Sequence, residues 1–310
     1  MTSQPGSNTF VESSFMPRIL KLATLVLAAG TLGACSRDQV IATENIPTAG
    51  VRFINAVPDT AGVFGLDFRW VDLIENNHHF RITFRNSPAS SGGVTASTTV
   101  EYKPARAGSR EFRIFLDDTT QVAASTVLKD STVSLEAGQL YTALLMGNAR
   151  STGADKMRLV FVNETVADPG ANIALRVINT TGAAIDVRQY VSGGSVPGAA
   201  TWANVPAYSV SSYVTVPPGQ IRFNVQPAGG GTAMFSDMLA LLGAAPSSTA
   251  GPGGKIDIEA APGTTVAGSA VSLVVYPRSV AGSKTPQTAA FQVPAGSFIW
   301  DRRPPRPPGI

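Results

Sequence analysis

The chain has 310 residues, a formal net charge of +3, 15% charged positions, 30 Gly, 22 Pro and a single Cys. Gly and Pro exceed their usual combined share of about 12%, and charged residues fall well below the usual quarter. This composition excludes a coiled coil or an ordinary helical enzyme and favours many short strands joined by turns. The single cysteine excludes a disulfide framework and a Cys-based zinc site.

The first element in chain order is a leader with three parts. Arg18 and Lys21 precede an apolar run over residues 22–32, and the sequence Leu-Gly-Ala-Cys ends the leader at Cys35. The run is about half as long as the twenty residues that a membrane-spanning helix needs. A basic part, a short apolar part and a small-residue part in this order predict a secretory signal peptide.

The Leu-Gly-Ala-Cys ending closely resembles the bacterial lipobox. This resemblance implies that residues 1–34 are removed as a lipoprotein signal peptide and that Cys35 is lipidated as the first residue of the mature chain. Two or three acyl chains, at about 0.8 kcal/mol for each buried CH₂, would anchor the protein firmly at a membrane. The alternative is a plain signal peptide followed by a buried structural cysteine. Translation starts at Met1 or at Met16, because the first fifteen residues are polar for a leader.

The mature chain begins with a polar stretch, residues 35–49, which has no periodicity and is interpreted as a tether. Short apolar or alternating runs separated by turn residues follow, and this is the pattern of an all-β sandwich or barrel. In chain order the predicted strands are 51–57, 64–73, 80–84, 95–102, 111–116, 132–135, 140–146, 158–163, 174–179, 185–191, 209–216, 220–226, 255–259, 270–276 and 288–293. The nearly continuous apolar run 234–242 is interpreted as a further strand, with a short loop helix as the alternative.

An internal repeat predicts the domain organisation. Residues 51–55 (VRFIN) recur as residues 175–179 (LRVIN), and each copy is followed by a turn and a strand that carries an aspartate, Asp67 or Asp186. The spacing of about 110–130 residues is that of one sandwich domain. We therefore expect two β-sandwich domains, joined at the Asp-Pro-Gly of residues 168–170. The predicted domains and tail are 50–168, 169–298 and a Pro/Arg-rich tail at 299–310.

Three stretches resemble the DUF4397 family, a group of secreted bacterial domains of unknown function. They are VRFINAVPD at residues 51–59, LEAGQLYTA at residues 135–143 and VPPGQIRFNV at residues 216–225. The resemblance implies tandem, immunoglobulin-like β-sandwiches. The first copy differs by a longer insertion around residues 76–96, and the second copy lacks the Pro-Asp that follows the asparagine. The family supplies no catalytic residues, so none is transferred to this chain.

The histidines and serines form no recognised metal-binding or catalytic motif. His78 and His79 are adjacent and would point to opposite faces of a strand, so together they cannot chelate one metal ion. The sequence contains no nucleophile elbow, since Gly193-Gly194-Ser195-Val196-Pro197 lacks the final glycine. We therefore expect no catalytic residues, no metal and no cofactor.

Carboxylates and tryptophans are the remaining candidates for a site. Two carboxylates in one cleft would suit a glycosidase, and an exposed tryptophan would stack on a sugar. Trp70 is expected in the core, whereas Trp202 lies in a less patterned stretch and is the better candidate for ligand contact at the surface. The other candidates are Asp67, Asp72, Asp117, Asp118, Asp186 and Trp300. Asp117 and Asp118 precede two threonines after a strand, as is usual in a turn. Asp67 and Asp186 occupy equivalent positions in the two copies, and this equivalence favours a structural or shared-ligand role.

These observations support two hypotheses. The first is a non-enzymatic protein of the bacterial cell envelope, anchored through lipid on Cys35 at the outer membrane on its periplasmic or surface face, which works in recognition, adhesion or scaffolding. Its partners would be the membrane and an envelope protein or glycan. The alternative is a secreted carbohydrate-active enzyme or glycan-binding module. Nucleic acid is not expected as a partner, because the basic residues are scattered and not interleaved with aromatic residues.

Overall fold

The computed structural model describes residues 46–60, 65–73, 80–85, 100–116, 120–246 and 259–305. Nearly all regular structure in these ranges is β-strand, with a helical turn at Gln121–Ala124 and a 3₁₀ turn at Ala289–Phe291. None of the helices in these ranges is long and apolar enough to span a membrane. The prediction of an all-β protein is confirmed.

Residues 48–163 form a first sandwich of two sheets. Its strands are β1 (Thr48–Asn55), β2 (Leu66–Trp70), β3 (Phe80–Ile82), β4 (Lys103–Arg106), β5 (Gly108–Leu116), β6 (Val127–Leu135), β7 (Leu140–Met146) and β8 (Arg158–Asn163). The inner sheet has the order β4-β1-β7-β8, and the outer sheet has the order β3-β2-β5-β6. The central pair β1 and β7 is parallel, and the other neighbours are antiparallel.

Residues 173–302 form a second sandwich that repeats this topology. Its strands are β9 (Ile173–Asn179), β10 (Ile185–Val191), β11 (Trp202–Val205), β12 (Ser209–Val210), β13 (Val214–Val216), β14 (Ile221–Pro227), β15 (Phe235–Leu239), β16 (Ala270–Tyr276) and β17 (Ala295–Arg302). The inner sheet has the order β12-β9-β16-β17, with β13 also paired to β9, and the outer sheet has the order β11-β10-β14-β15. Here too the central pair, β9 and β16, is parallel.

The strand order corrects the expectation of an immunoglobulin-like domain. In an immunoglobulin constant domain the strands form the sheets ABED and CFG, so that the second and third strands lie in different sheets. In this protein β2 and β3 are antiparallel neighbours in one sheet, and the first strand pairs with the seventh. The sandwich architecture stands, but its topology is a different one.

Most predicted strands are present. The predicted strand 95–102 lies mostly outside the described residues, and its described part, residues 100–102, is not strand, since β4 begins at Lys103. The other differences have local causes. The run 209–216 divides into β12 and β13 because both the backbone and the hydroxyl of Ser211 bond to Val177. The prediction of a strand at 288–293 is wrong: this stretch holds the 3₁₀ turn, and the partner of β16 is β17, further along the chain. The run 234–242 contains β15, as predicted. The predicted strand 255–259 lies almost wholly outside the described residues.

The predicted boundaries shift by a few residues at both ends. β1 begins at Thr48, inside the stretch 35–49 that we interpreted as a tether. β17 continues to Arg302, and its Asp301 is buried, so residues 299–302 belong to the second sandwich and not to the predicted tail. Residues 306–310 of that tail lie outside the described residues.

The inner strands are covered on both faces. Successive side chains of a strand point to opposite sides, so Val51 and Phe53 of β1 pack in the core of the first sandwich, whereas Arg52 and Ile54 face the second. A shared cluster lies between the two inner sheets and is formed by Ile54, Ala56, Leu144, Met146, Ile178, Val274, Tyr276 and Ile299. The two sandwiches therefore bury one common apolar layer.

This layer predicts that the two sandwiches unfold together. Trp70 and Trp202 lie in the cores of the first and the second sandwich, and each can serve as a reporter when the other tryptophans are replaced by Phe. We expect coincident denaturant transitions from the two reporters. Leu144→Ala should shift both by about 2–5 kcal/mol, because it removes a fully buried side chain from the shared layer.

The control is Val122→Ala, which shortens an exposed side chain and should shift neither reporter. A Trp202 transition that stays in place while the Trp70 transition moves would show that the sandwiches are energetically independent.

Candidate functional site

Several of the predicted site residues lie outside the described residues. They are Cys35, His78, His79, Asp117 and Asp118. Lipidation at Cys35 therefore stays a prediction from the sequence. Within the described ranges, no group of three or more His, Cys, Asp or Glu side chains could hold a metal ion.

Trp202 is buried, and its prediction as a surface residue for ligand contact is wrong. The residue is 7% exposed at the start of β11. Its indole N–H donates to the Ser212 carbonyl oxygen at 3.2 Å, and its ring stacks on Phe223 with a centroid distance of 6.2 Å. The indole thus fills the core of the second sandwich. Trp70 occupies the first core, as predicted.

The candidate carboxylates are held by local partners. Asp67 accepts a hydrogen bond from Arg69 at 2.8 Å, and Asp72 pairs with Arg110 at 2.9 Å. Burial alone would raise the pKa of Asp72, but the hydrogen bond and charge of Arg110 outweigh it and lower this pKa. The oxygens of Asp186 accept backbone N–H bonds from Asn204 and Gly229, which fix two loops. Asp67 and Asp186 thus occupy equivalent strand positions with structural partners.

Each copy of the repeated motif carries a buried arginine side chain. Arg52 and Arg176 stand at the second position of the two copies and are 0% and 4% exposed. The asparagines that end the copies serve the loops: the Asn55 side chain accepts a bond from Val57 N–H, and Asn179 donates to the carbonyls of Ala183 and Pro206. The arginine of each copy instead faces the opposite sandwich.

Two arginines and two carboxylates form a buried cluster between the inner sheets, which we call the charge quartet: Arg52, Glu164, Arg176 and Asp301. Arg52 of the first sandwich bonds to Asp301 of the second. Reciprocally, Arg176 of the second sandwich bonds to Glu164, which directly follows β8 of the first. The remaining pairs, Arg52 with Glu164 and Arg176 with Asp301, are both 3.2 Å apart. Two positive and two negative charges therefore balance.

Hydroxyl and aromatic groups complete the quartet in a nearly symmetric manner. The Nε–H groups of Arg52 and Arg176 donate to the hydroxyls of Thr142 and Ser272, each at 2.7 Å. The pair Tyr102 and Tyr213 covers the guanidinium groups, with ring centroids 4.6 and 4.7 Å from the arginine Cζ atoms. Such contacts add cation–π attraction where water is excluded.

The electrostatics of the quartet keep both arginines charged. Burial disfavours the charged guanidinium of Arg52, but the adjacent Asp301, Tyr102 and Glu164 outweigh it, and the pKa of Arg52 is raised. The same balance raises the pKa of Arg176. Burial and Asp301 raise the pKa of Tyr213, which donates to Asp301 at 2.9 Å. The quartet is buried and internally bonded, so it joins the two sandwiches and does not present a group to substrate.

Two residues with a left-handed backbone connect the sandwiches at one end of the interface. Tyr208 has φ 56°. Its hydroxyl donates to Asp155 at 3.0 Å, and its ring lies under Arg158. Burial and the bond to Asp155 raise the pKa of Tyr208 to about 12. Since a bulky residue rarely adopts this conformation, the contacts to the first sandwich hold it there.

Arg85 is the second of these residues, with φ 53°. It is buried and donates to three carbonyl oxygens of the long β16–β17 loop, those of Pro277, Ala290 and Val293. Desolvation lowers its pKa to about 10. Arg85 thereby fixes the β16–β17 loop of the second sandwich against the first.

A cleft of about 390 Å³ lies between the sandwiches at this end, and we call it the seam cleft. The loops that follow β1, β7, β9 and β16 all contribute to it, through Pro58, Gly147, Thr180 and Pro277. A smaller hollow of about 280 Å³ adjoins it and shares Asn148, Val280 and Ala281 with it. The seam cleft and this hollow are thus concave features that the described residues place between the two sandwiches.

Comparison with known proteins identifies one family. Residues 49–190 match the model of the family described as "Domain of unknown function (DUF4397)". This segment therefore carries a DUF4397-like domain, as the sequence motifs predicted. The match covers the first sandwich and continues through β9 and most of β10 of the second. No curated protein matches the chain.

The charge quartet predicts a large cost for removing one charge. Arg52→Met leaves two buried carboxylates facing one arginine and should lower the free energy of unfolding by about 3–5 kcal/mol, because an uncompensated buried charge remains. The double variant Arg52→Met/Asp301→Leu restores neutrality and should regain most of the loss. Denaturant unfolding measures both.

The matched control is Arg113→Met, which removes an exposed arginine paired with Glu111 and Asp130 and should change stability little. Equal losses for Arg52→Met and the double variant would contradict a cost that arises from charge imbalance.

The raised pKa values of five tyrosines predict that the protein loses stability at alkaline pH. The pKa is raised for Tyr102, Tyr190, Tyr208, Tyr213 and Tyr276, mainly by burial, and it reaches about 12 for Tyr276. Each folded-state pKa lies above the unfolded value of about 10. These tyrosines therefore stay protonated to a higher pH in the folded state than in the unfolded state. The stability that this difference provides is fully present below pH 10 and is lost as pH rises through the folded-state pKa values.

We expect the tyrosinate absorbance of the folded protein to rise above pH 10 in step with loss of structure by circular dichroism. The same titration in denaturant should show all tyrosines ionising together near pH 10. Ionisation of most tyrosines near pH 10 in a protein that keeps its structure would contradict the prediction.

Proposed function

We propose that this chain, whose residues 49–190 carry a DUF4397-like domain, is a non-enzymatic, lipid-anchored protein of the bacterial cell envelope. Its work is recognition, adhesion or scaffolding, with the membrane and an envelope protein or glycan as partners. The anchor is lipid on Cys35, and the membrane is the outer membrane, on its periplasmic or surface face.

The observation that supports this proposal most is the buried interface between the two sandwiches. The charge quartet and the shared apolar layer bind both inner sheets, so that residues 47–310 form one compact unit. A unit of this kind holds its loops in a fixed arrangement relative to one another. That property suits a protein that presents a surface to a partner.

The tether supports the same proposal from the sequence. Twelve residues, 36–47, separate Cys35 from the first strand. At about 3.3–3.6 Å for each extended residue, they span at most about 40 Å. The body would thus stay within about 40 Å of the membrane.

Among the described residues, no observation favours the alternative of a carbohydrate-active enzyme or glycan-binding module. That alternative needs carboxylates gathered in a cleft beside an exposed tryptophan. Asp67 and Asp72 are each bonded to an arginine instead, and Trp70 and Trp202 are buried.

The anchor can be tested by Cys35→Ser in the full chain. Loss of the thiol removes the acceptor of the lipid, so we expect the variant to move from the membrane fraction to the soluble fraction and to stop incorporating radiolabelled palmitate. Circular dichroism should show an unchanged β-sheet content, because twelve residues separate Cys35 from β1.

Ser36→Ala is the matched control, since it changes the neighbouring residue and keeps the thiol; it should remain in the membrane fraction. Quantitative recovery of Cys35→Ser with the membrane would overturn the lipid anchor.

A further inference from the structure

The seam cleft lies at the end of the body that is opposite to the first residue of β1. The four central strands β1, β7, β9 and β16 all end at the seam cleft, because the residues that follow each of them line it. The tether joins β1 at its other end, at Thr48. An eight-residue strand covers about 26 Å at about 3.3 Å for each residue. The seam cleft therefore lies about one strand length from the residue at which β1 begins.

The carboxylates around the seam cleft are already engaged. Both oxygens of the buried Asp59 accept backbone N–H bonds at 2.8 Å, from Ala149 and Arg150. Asp155 accepts the bond from the Tyr208 hydroxyl. Asp59 therefore serves the loops, whereas Asp155 is an exposed carboxylate in the lining of the seam cleft, with one oxygen bonded to Tyr208.

The cations of the same region are not engaged in this way. The side chains of Arg150 and Arg278 are exposed, and within the described residues neither has a hydrogen bond or an ion pair. Arg278 lines the seam cleft and Arg150 lines the adjoining hollow. The side-chain amide of Asn148, which lines both, also has no partner within those residues. Two guanidinium groups and an amide are thus available to a ligand.

We infer that the seam cleft and its adjoining hollow bind an oxyanion group, a carboxylate or a phosphate. A guanidinium presents its donors in a planar fork that matches both groups, and hydrogen bonds between charged partners are about twice as strong as neutral ones. The cleft volume of about 390 Å³ falls within the usual range of about 300–1,000 Å³ for ligand sites. The exposed Val280 beside the two arginines provides apolar contact for the rest of the ligand.

This inference deepens the proposed function, since it names the chemical group that the recognition surface would bind. It does not depend on the anchor. Binding can be measured on the full chain in detergent micelles, with or without lipid on Cys35. A protein that stays at the membrane but binds no oxyanion overturns this inference alone, and one that binds but never reaches the membrane overturns the anchor alone.

The test uses a fluorescein-labelled hexaglutamate peptide, followed by anisotropy, and inorganic phosphate as a competitor. We expect saturable binding of hexaglutamate that weakens with salt, and no binding of the matched hexaglutamine peptide. Displacement by phosphate indicates a site for either oxyanion. Binding of hexaglutamate that phosphate does not displace assigns the site to carboxylates, and binding of phosphate alone assigns it to phosphate.

The decisive variant is Arg150→Gln/Arg278→Gln. Both side chains are exposed, so the variant should keep its circular dichroism spectrum while its affinity falls about tenfold or more, as expected for the loss of charged hydrogen bonds. Arg113→Gln/Lys129→Gln removes the same charge from the outer sheet of the first sandwich and should change affinity less than about twofold, the scale of screened surface charge. Equal losses in the two variants, or no binding of either oxyanion by the unaltered protein, would overturn the inference.

Discussion

The architecture depends on the burial of four charges between two inner sheets. Ions lose a large hydration energy when they leave water, and their mutual attraction offsets this loss only with good geometry and further hydrogen bonds. The charge quartet meets both conditions, because each guanidinium bonds to a carboxylate of each sandwich and to a hydroxyl of its own. An apolar layer could hold the sheets together but would tolerate sliding. The quartet fixes one register.

That register determines where the loops lie. Because the central strands are parallel within each inner sheet and the sandwiches are locked face to face, four loops meet at one end. Two left-handed residues, Arg85 and Tyr208, bind loops there across the interface. A strained backbone persists only where the surrounding contacts compensate for it. The interface thus provides both the rigid body and the shape of the seam cleft.

The sequence predicted the elements better than the contacts between them. Alternation and turn residues locate strands such as β7, β8, β10 and β16, whose limits agree with the predicted ones. The motif itself contains a signal for these contacts: an arginine amid apolar residues, present in both copies, at a position that alternation places opposite the core. Its partners could not be found this way, since Glu164 and Asp301 lie 112 and 249 residues from Arg52. Trp202 was misplaced because its strand is short and lacks an alternating apolar pattern.

The same contacts explain why neither repeat is a self-sufficient unit. The first sandwich alone would expose Ile54, Leu144 and Met146, and its Arg52 would lose Asp301 while Glu164 lost Arg176. A large exposed apolar face is costly in water and promotes association. The DUF4397 match is consistent with this dependence, because it continues beyond the first sandwich into β9, which carries Arg176. The repeat is therefore better described as half of an interface than as a complete domain.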